Sequence, residues 1–136
     1  MRTQAEIRDK FAPSEELAGH KVFFLVGIGG AGMSGLAKML HSRGFEVKGS
    51  DSTPSAVTAG LQVLGINVHV GHTGSGIKAN MAVILTDAID LENSAEVACA
   101  RNLGCKIFRR SQLLGWLVTE YRVIAVTGTH GKTTTR

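Results

Sequence analysis

The chain has 136 residues, room for one ordinary domain and too few for two complete ones. Its 43% hydrophobic content lies in short runs, which suits a buried core and excludes a disordered or low-complexity chain. The longest apolar run, Val22 to Val26 followed by Ile28, falls far short of the roughly 20 residues needed to cross a bilayer. The first twenty residues lack the apolar stretch of a signal peptide, so neither a membrane partner nor export is expected, and the expected compartment is the cytoplasm. The net charge of +4 is uneven: residues 101–136 hold seven basic side chains against one acid, Glu120. Such a stretch attracts phosphates or is simply a solvated face. Aromatic residues are only 5% and do not alternate with the basic ones, so nucleic acid is not an expected partner.

In chain order, residues 1–20 form an amphipathic lead-in with a turn or two of helix before Gly19. Lys21–Val26 is a β-branched and aromatic run of the length of a buried parallel strand. It runs into Gly27-Ile28-Gly29-Gly30-Ala31-Gly32, after which Leu36, Met39 and Leu40 recur at helical spacing until Gly44 stops the helix. A second strand over Phe45–Gly49 ends at Ser50-Asp51. Thr53 is expected to cap a helix with Pro54 in its first turn and Gly65 beyond its end. Strands follow at Ile66–Val70 and Met81–Leu85, separated by the loop from Gly71. A helix beginning at Asn93 or Ser94 precedes a strand at Cys105–Phe108. Ser111 then caps a helix to about Glu120, and Val123–Val126 reads as a last strand. The alternation predicts an α/β fold: a doubly wound, Rossmann-like parallel sheet in three αβα layers. Cys99 and Cys105 fit reduced core thiols better than a disulfide.

Two glycine loops carry the chemistry. Gly27, Gly29 and Gly32 make a G-x-G-x-x-G between a strand and a helix, where glycines permit a tight turn and close approach of a pyrophosphate. The helix N-terminus offers unbonded amides and a partial positive charge. Asp51 stands where dinucleotide enzymes place an acid that accepts from ribose hydroxyls, although it would also serve as a helix cap. His72 follows a strand at the ligand-binding end of the sheet and is a candidate contact. The second loop, Gly128-Thr129-His130-Gly131-Lys132-Thr133-Thr134, shortens the usual P-loop, since Val126 stands where that pattern asks for glycine. Its amides would wrap phosphates, Lys132 would reach the β- and γ-phosphates, and Thr133 would bind Mg²⁺ through ATP. His130 reads as a spacer.

Taken together, V-G-I-G-G-A-G-M-S-G-L-A at 26–37, G-S-D at 49–51 and T-G-T-H-G-K-T-T-T at 127–135 resemble the Mur ligases. The resemblance implies a UDP-sugar-binding domain over 21–121, after the lead-in at 1–20. Residues 122–136 would then begin a P-loop ATPase domain that is cut short. It further implies an ADP-forming carbon–nitrogen ligase in peptidoglycan synthesis. Its substrates would be UDP-N-acetylmuramic acid, ATP and L-alanine, with ATP and Mg²⁺ needed by the full-length enzyme and nothing tightly held by this stretch alone. Carried over by position, Gly27, Ile28, Gly29, Gly30, Ala31, Gly32, Met33 and Ser34 would cradle the UDP diphosphate. Ser50, Asp51 and His72 would also face the UDP-sugar, and Lys132 and Thr133 would act in catalysis. Thr86-Asp87-Ala88-Ile89 departs from the serine-rich, proline-containing loop frequent in the family. An NAD(P)-binding oxidoreductase or regulatory module fits the first loop but has no use for Gly131-Lys132-Thr133-Thr134. Without the rest of an ATPase sheet, Val123–Val126 is expected to pair elsewhere or fray.

The 136-residue polypeptide is therefore expected to lack ligase activity. A coupled assay should find no L-alanine-dependent ADP release, and detectable release would contradict the expectation.

Overall fold

This computed structural model describes residues 11–86 and 94–127, with 120–127 described through their backbone only. Five parallel strands form one sheet: β1 (Val22–Val26), β2 (Glu46–Asp51), β3 (Asn67–Val70), β4 (Ala82–Leu85) and β5 (Lys106–Arg109), in the order β3-β2-β1-β4-β5. The helices are α1 (Ala31–Ser42), α2 (Ala56–Val63), α3 (Ala95–Asn102) and α4 (Arg110–Thr127), preceded by a short 3-10 helix at Ser14–Gly19. The chain winds outward from β1 to β3, returns over the sheet to β4, and winds outward again. The expected doubly wound, three-layer architecture is what the structure has.

The central strands carry apolar side chains on both faces, as parallel strands covered on both sides must. Phe23 and Leu25 point into one layer with Leu36, Leu40, Leu61, Leu113 and Leu117 from α1, α2 and α4. Phe24 and Val26 point into the other with Val83, Leu85, Val97 and Ala100. Each such side chain, fully buried, contributes about 1.5–3 kcal/mol. Trp116 of α4 lies over Phe23 and Phe45, at centroid distances of 6.2 and 6.0 Å. The crossover from β3 to β4 has no helix. It is an irregular segment pinned by the two thiols: Cys99 donates to the Gly74 carbonyl (3.4 Å) and Cys105 to that of Lys78 (3.1 Å). Both cysteines are free, and burial pushes the Cys105 thiol pKa up.

Three local expectations need correction. First, α2 is capped by Ser55, not Thr53. Ser55 Oγ accepts from the Thr58 amide (3.2 Å) while Thr58 Oγ1 accepts from the Ser55 amide (2.8 Å), which leaves Pro54 outside the helix. Second, α4 begins at Arg110, ahead of the expected cap at Ser111. Gln112 reaches back to take the Arg109 amide (2.7 Å), the reciprocal half of a capping box. Its amide nitrogen also donates to the Ala12 carbonyl (2.8 Å) and Ser14 Oγ (3.2 Å), tying the segment before the 3-10 helix to the outer edge of β5, where the Ala12 amide meets the Ile107 carbonyl (2.8 Å). Third, Val123–Val126 is neither a paired strand nor frayed; it continues α4 to Thr127. A strand needs a partner strand, and Val123–Val126 pairs with none of the five described strands, whereas each residue added to a formed helix gains its hydrogen bond locally.

Gly49 shows how tightly β2 meets the first loop. It lies opposite Leu25 in the β1–β2 register, and a Cβ there would stand 2.5 Å from the Leu25 carbonyl oxygen and 2.6 Å from Ile28 Cδ1. Gly49→Ala should lower stability by about 1–3 kcal/mol in urea unfolding. An unchanged midpoint would show that the sheet relaxes around the methyl group.

Candidate functional site

The carboxyl ends of β1, β2 and β4 converge where the winding direction reverses, the place at which open parallel sheets bind ligands. Immediately after β1, Gly27 takes a φ of +75°, which favours glycine. The turn is then held by the end of β2. The amides of Gly27 and Ile28 both donate to the Ser50 carbonyl (2.8 and 2.9 Å), and the Gly29 amide donates to Asp51 Oδ2 (2.8 Å). The Gly30 amide closes onto the Gly27 carbonyl (3.0 Å). The Ile28 side chain is fully buried in the core.

These bonds narrow the expected cradle. The amides of Gly27, Ile28, Gly29 and Gly30 are used within the protein, and the Ser34 amide starts the α1 ladder by donating to the Gly30 carbonyl (2.8 Å). Ser34 Oγ donates to the Ala31 carbonyl (3.1 Å). Among the described residues, the amides of Ala31, Gly32 and Met33 in the first turn of α1 remain without a partner, and the N-cap Gly30 supplies no side-chain acceptor. Gly30, Ala31 and Gly32 are exposed and Met33 is buried, so the Ala31 and Gly32 donors lie at the surface beside the loop.

Asp51 was expected either to accept from a ribose or to cap the next helix. Ser55 takes the capping role, and the Asp51 carboxylate braces the glycine turn instead. A Cβ on Gly29 would stand 2.6 Å from Asp51 Oδ2 and 3.0 Å from Thr58 Cγ2. In this chain the second glycine of the motif therefore makes room for Asp51. The other carboxylate oxygen makes no hydrogen bond among the described residues.

Two participants escaped sequence reasoning. Arg110, which composition left as part of a solvated basic face, lies across the start of α1. A Cβ on Gly32 would stand 3.4 Å from its Nη1 and 3.6 Å from its Cδ. The available signal was its place just after β5, at the ligand end of the sheet. Glu96 is 1% exposed. It accepts the Ser50 hydroxyl at Oε2 and meets His72 Nδ1 at Oε1 (2.9 Å), and Ser50 Oγ lies 3.3 Å from the same ring nitrogen. In sequence Glu96 reads as an ordinary first-turn acid behind the Ser94 cap. Ser50, Asp51 and His72 are thus brought to the same end of the sheet as the loop. Gly128, Thr129, His130, Gly131, Lys132, Thr133 and Thr134 lie outside the described residues, as do 87–93. Among the described residues no group of three His, Cys, Asp or Glu is arranged to hold a metal, and no helix is long and apolar enough to cross a membrane.

A three-layer parallel sheet with a glycine turn opening its first helix at the reversal point defines a Rossmann-like α/β domain. More narrowly, the chain belongs to the Mur ligase family: residues 23–122 match the model described as "Mur ligase family, catalytic domain". It is 48% identical over 114 residues to a UDP-N-acetylmuramate–L-alanine ligase of Caldicellulosiruptor saccharolyticus, covering 83% of this chain and 25% of that protein. It is 44% identical over 125 residues to the enzyme of the same name from Bifidobacterium adolescentis, covering 92% and 24%. The crystal structure of UDP-N-acetylmuramate–alanine ligase from Thermotoga maritima superposes with a TM-score of 0.65 at 32% identity, covering 77% of this chain and 23% of that one. The chain thus spans about a quarter of the length of the relatives it matches.

The Asp51 brace predicts a graded series. Asp51→Ala should lower stability by about 1–2 kcal/mol and speed exchange of the Gly29 amide, whereas Asp51→Asn keeps an acceptor and should lose less. Equal behaviour of the two variants in denaturation and exchange would contradict the brace.

Proposed function

We propose that this chain binds UDP-N-acetylmuramic acid as the sugar-nucleotide-binding part, residues 21–121, of a cytoplasmic ligase that joins L-alanine to that substrate during peptidoglycan synthesis. Support comes from the activity in the names of the relatives it matches and, in the chain itself, from one juxtaposition: the first-turn amides of Ala31, Gly32 and Met33 near the Arg110 side chain. A diphosphate placed there would meet first-turn N–H donors, the positive end of α1 and the Arg110 guanidinium. The second Asp51 carboxylate oxygen and His72, at the ends of β2 and β3, would lie toward the nucleoside.

In the whole enzyme, the lactyl carboxylate of the sugar would attack the γ-phosphorus of ATP, releasing ADP and forming an acyl phosphate. The L-alanine amine, having lost its proton, would then attack the acyl carbon and release inorganic phosphate. Residues 122–136 would open the ATPase domain. Its loop residues Gly128 to Thr134 would hold ATP, with Lys132 and Thr133 at the phosphates and Mg²⁺ supplying charge neutralisation there. The part proposed for residues 21–121 is to bind and orient the sugar nucleotide.

Titration calorimetry tests this on the chain as it stands. UDP-N-acetylmuramic acid and UDP should bind, NAD should not, and Arg110→Ala should weaken UDP binding by about tenfold, the equivalent of one charge-assisted contact. NAD binding in preference to UDP would favour an oxidoreductase or sensor and contradict the proposal.

A further inference from the structure

Glu96 is a buried carboxylate for which the ligase chemistry has no direct use. Desolvating such a group is costly unless donors satisfy it, and here both oxygens are taken, Oε2 by the Ser50 hydroxyl and Oε1 by His72 Nδ1 (2.9 Å). Glu96 also sits in the first turn of α3, where the helix dipole favours a negative charge. With neither oxygen left over and a side chain 1% exposed, Glu96 has nothing to offer a ligand directly. What it does is join three separate segments: the end of β2 through Ser50, the loop after β3 through His72, and the start of α3.

The consequence falls on His72, whose side chain is 42% exposed. A carboxylate only accepts, so the ring nitrogen facing it must carry the proton. Nδ1 is thereby committed to Glu96, and the free position of the ring is Nε2. In the neutral ring Nε2 is a hydrogen-bond acceptor of fixed direction. The ring is held at the end of β2, next to Asp51, with Nδ1 3.3 Å from the Ser50 hydroxyl.

We propose that Glu96 is a positioning residue that locks His72 with Nδ1 protonated, so that Nε2 accepts a hydrogen bond from an N–H or O–H donor of the bound nucleoside. The ligand half of this inference rests on the function proposed above. The effect resembles the orienting carboxylate behind a histidine ligand, which sets tautomer and direction without touching the bound group.

The test combines ring spectroscopy with a double-mutant cycle. In the wild type, long-range nitrogen–proton NMR of His72 should show Nδ1 as the protonated nitrogen. Glu96→Gln is nearly isosteric but replaces one acceptor by a donor, so Ser50 and His72 compete for a single oxygen and the ring should no longer hold one tautomer. The same substitution should weaken UDP-N-acetylmuramic acid binding about fivefold, and His72→Ala should do the same. In the His72→Ala background, Glu96→Gln should have no further effect on binding. Thermal unfolding of each variant confirms that binding is measured on folded protein, and His72→Ala supplies the comparison if Glu96→Gln proves unstable. Unprotonated Nδ1 in the wild type, or unchanged binding by Glu96→Gln, overturns the inference. A Glu96→Gln loss that persists without His72 also overturns it, because Glu96 would then act through Ser50. A wild type that binds no UDP compound overturns the function proposed above and the ligand half of this inference together, while the ring spectra still decide the Glu96–His72 half.

Discussion

The site depends on one clamp: the end of β2 holds the turn that leaves β1. The Ser50 carbonyl takes two successive amides, and the Asp51 carboxylate takes a third, so that Gly27, Ile28 and Gly29 are fixed by three bonds to two adjacent residues. A glycine-rich turn is entropically expensive to order, because glycine loses more conformational freedom than any other residue. Here that freedom is removed before any ligand arrives. The fixed turn sets the direction of α1, and the direction of α1 aims the amides of Ala31, Gly32 and Met33.

The clamp in turn relies on the sheet. Residues 22–26 and 46–50 are in parallel register, which brings Val26 alongside Ser50 and leaves the next peptide of each strand within hydrogen-bonding reach of the other. Gly49 permits this closeness by leaving room for the Ile28 side chain, which anchors the turn into the core from below. The same residue of β2 that clamps the turn through its carbonyl is itself held through its hydroxyl by Glu96. The glycine turn, the loop after β3 and α3 are therefore joined through Ser50.

Much of this organisation was legible in the sequence. Unbroken apolar runs such as Met81–Leu85 marked buried strands because both their faces are covered, and Gly44 and Gly65 marked helix ends because each adopts a positive φ. The glycine motif and Asp51 fell where spacing placed them. What spacing could not tell was how the hydrogen bonds are divided. Whether an amide faces a ligand or a neighbouring carbonyl depends on tertiary contacts, and of the eight residues of the expected cradle, Gly27 to Gly30 and Ser34 have amides bonded within the protein. Glu96 and Arg110 were hidden for the same reason, since each resembles an ordinary surface charge until the fold brings it against partners far along the chain. Val123–Val126 shows the opposite failure. Its β-branched pattern fits a strand, but strands are made by neighbours and helices by themselves.

The central claim is that the diphosphate of a uridine nucleotide sits on the first turn of α1 and not on the glycine turn before it. Titrating UDP into ¹⁵N-labelled protein and following the backbone amides tests this directly. The resonances of Ala31, Gly32 and Met33 should move furthest, with those of Gly27 and Ile28, already bonded to Ser50, moving little. Shifts concentrated at Gly27–Gly29, or an undisturbed α1, would contradict it.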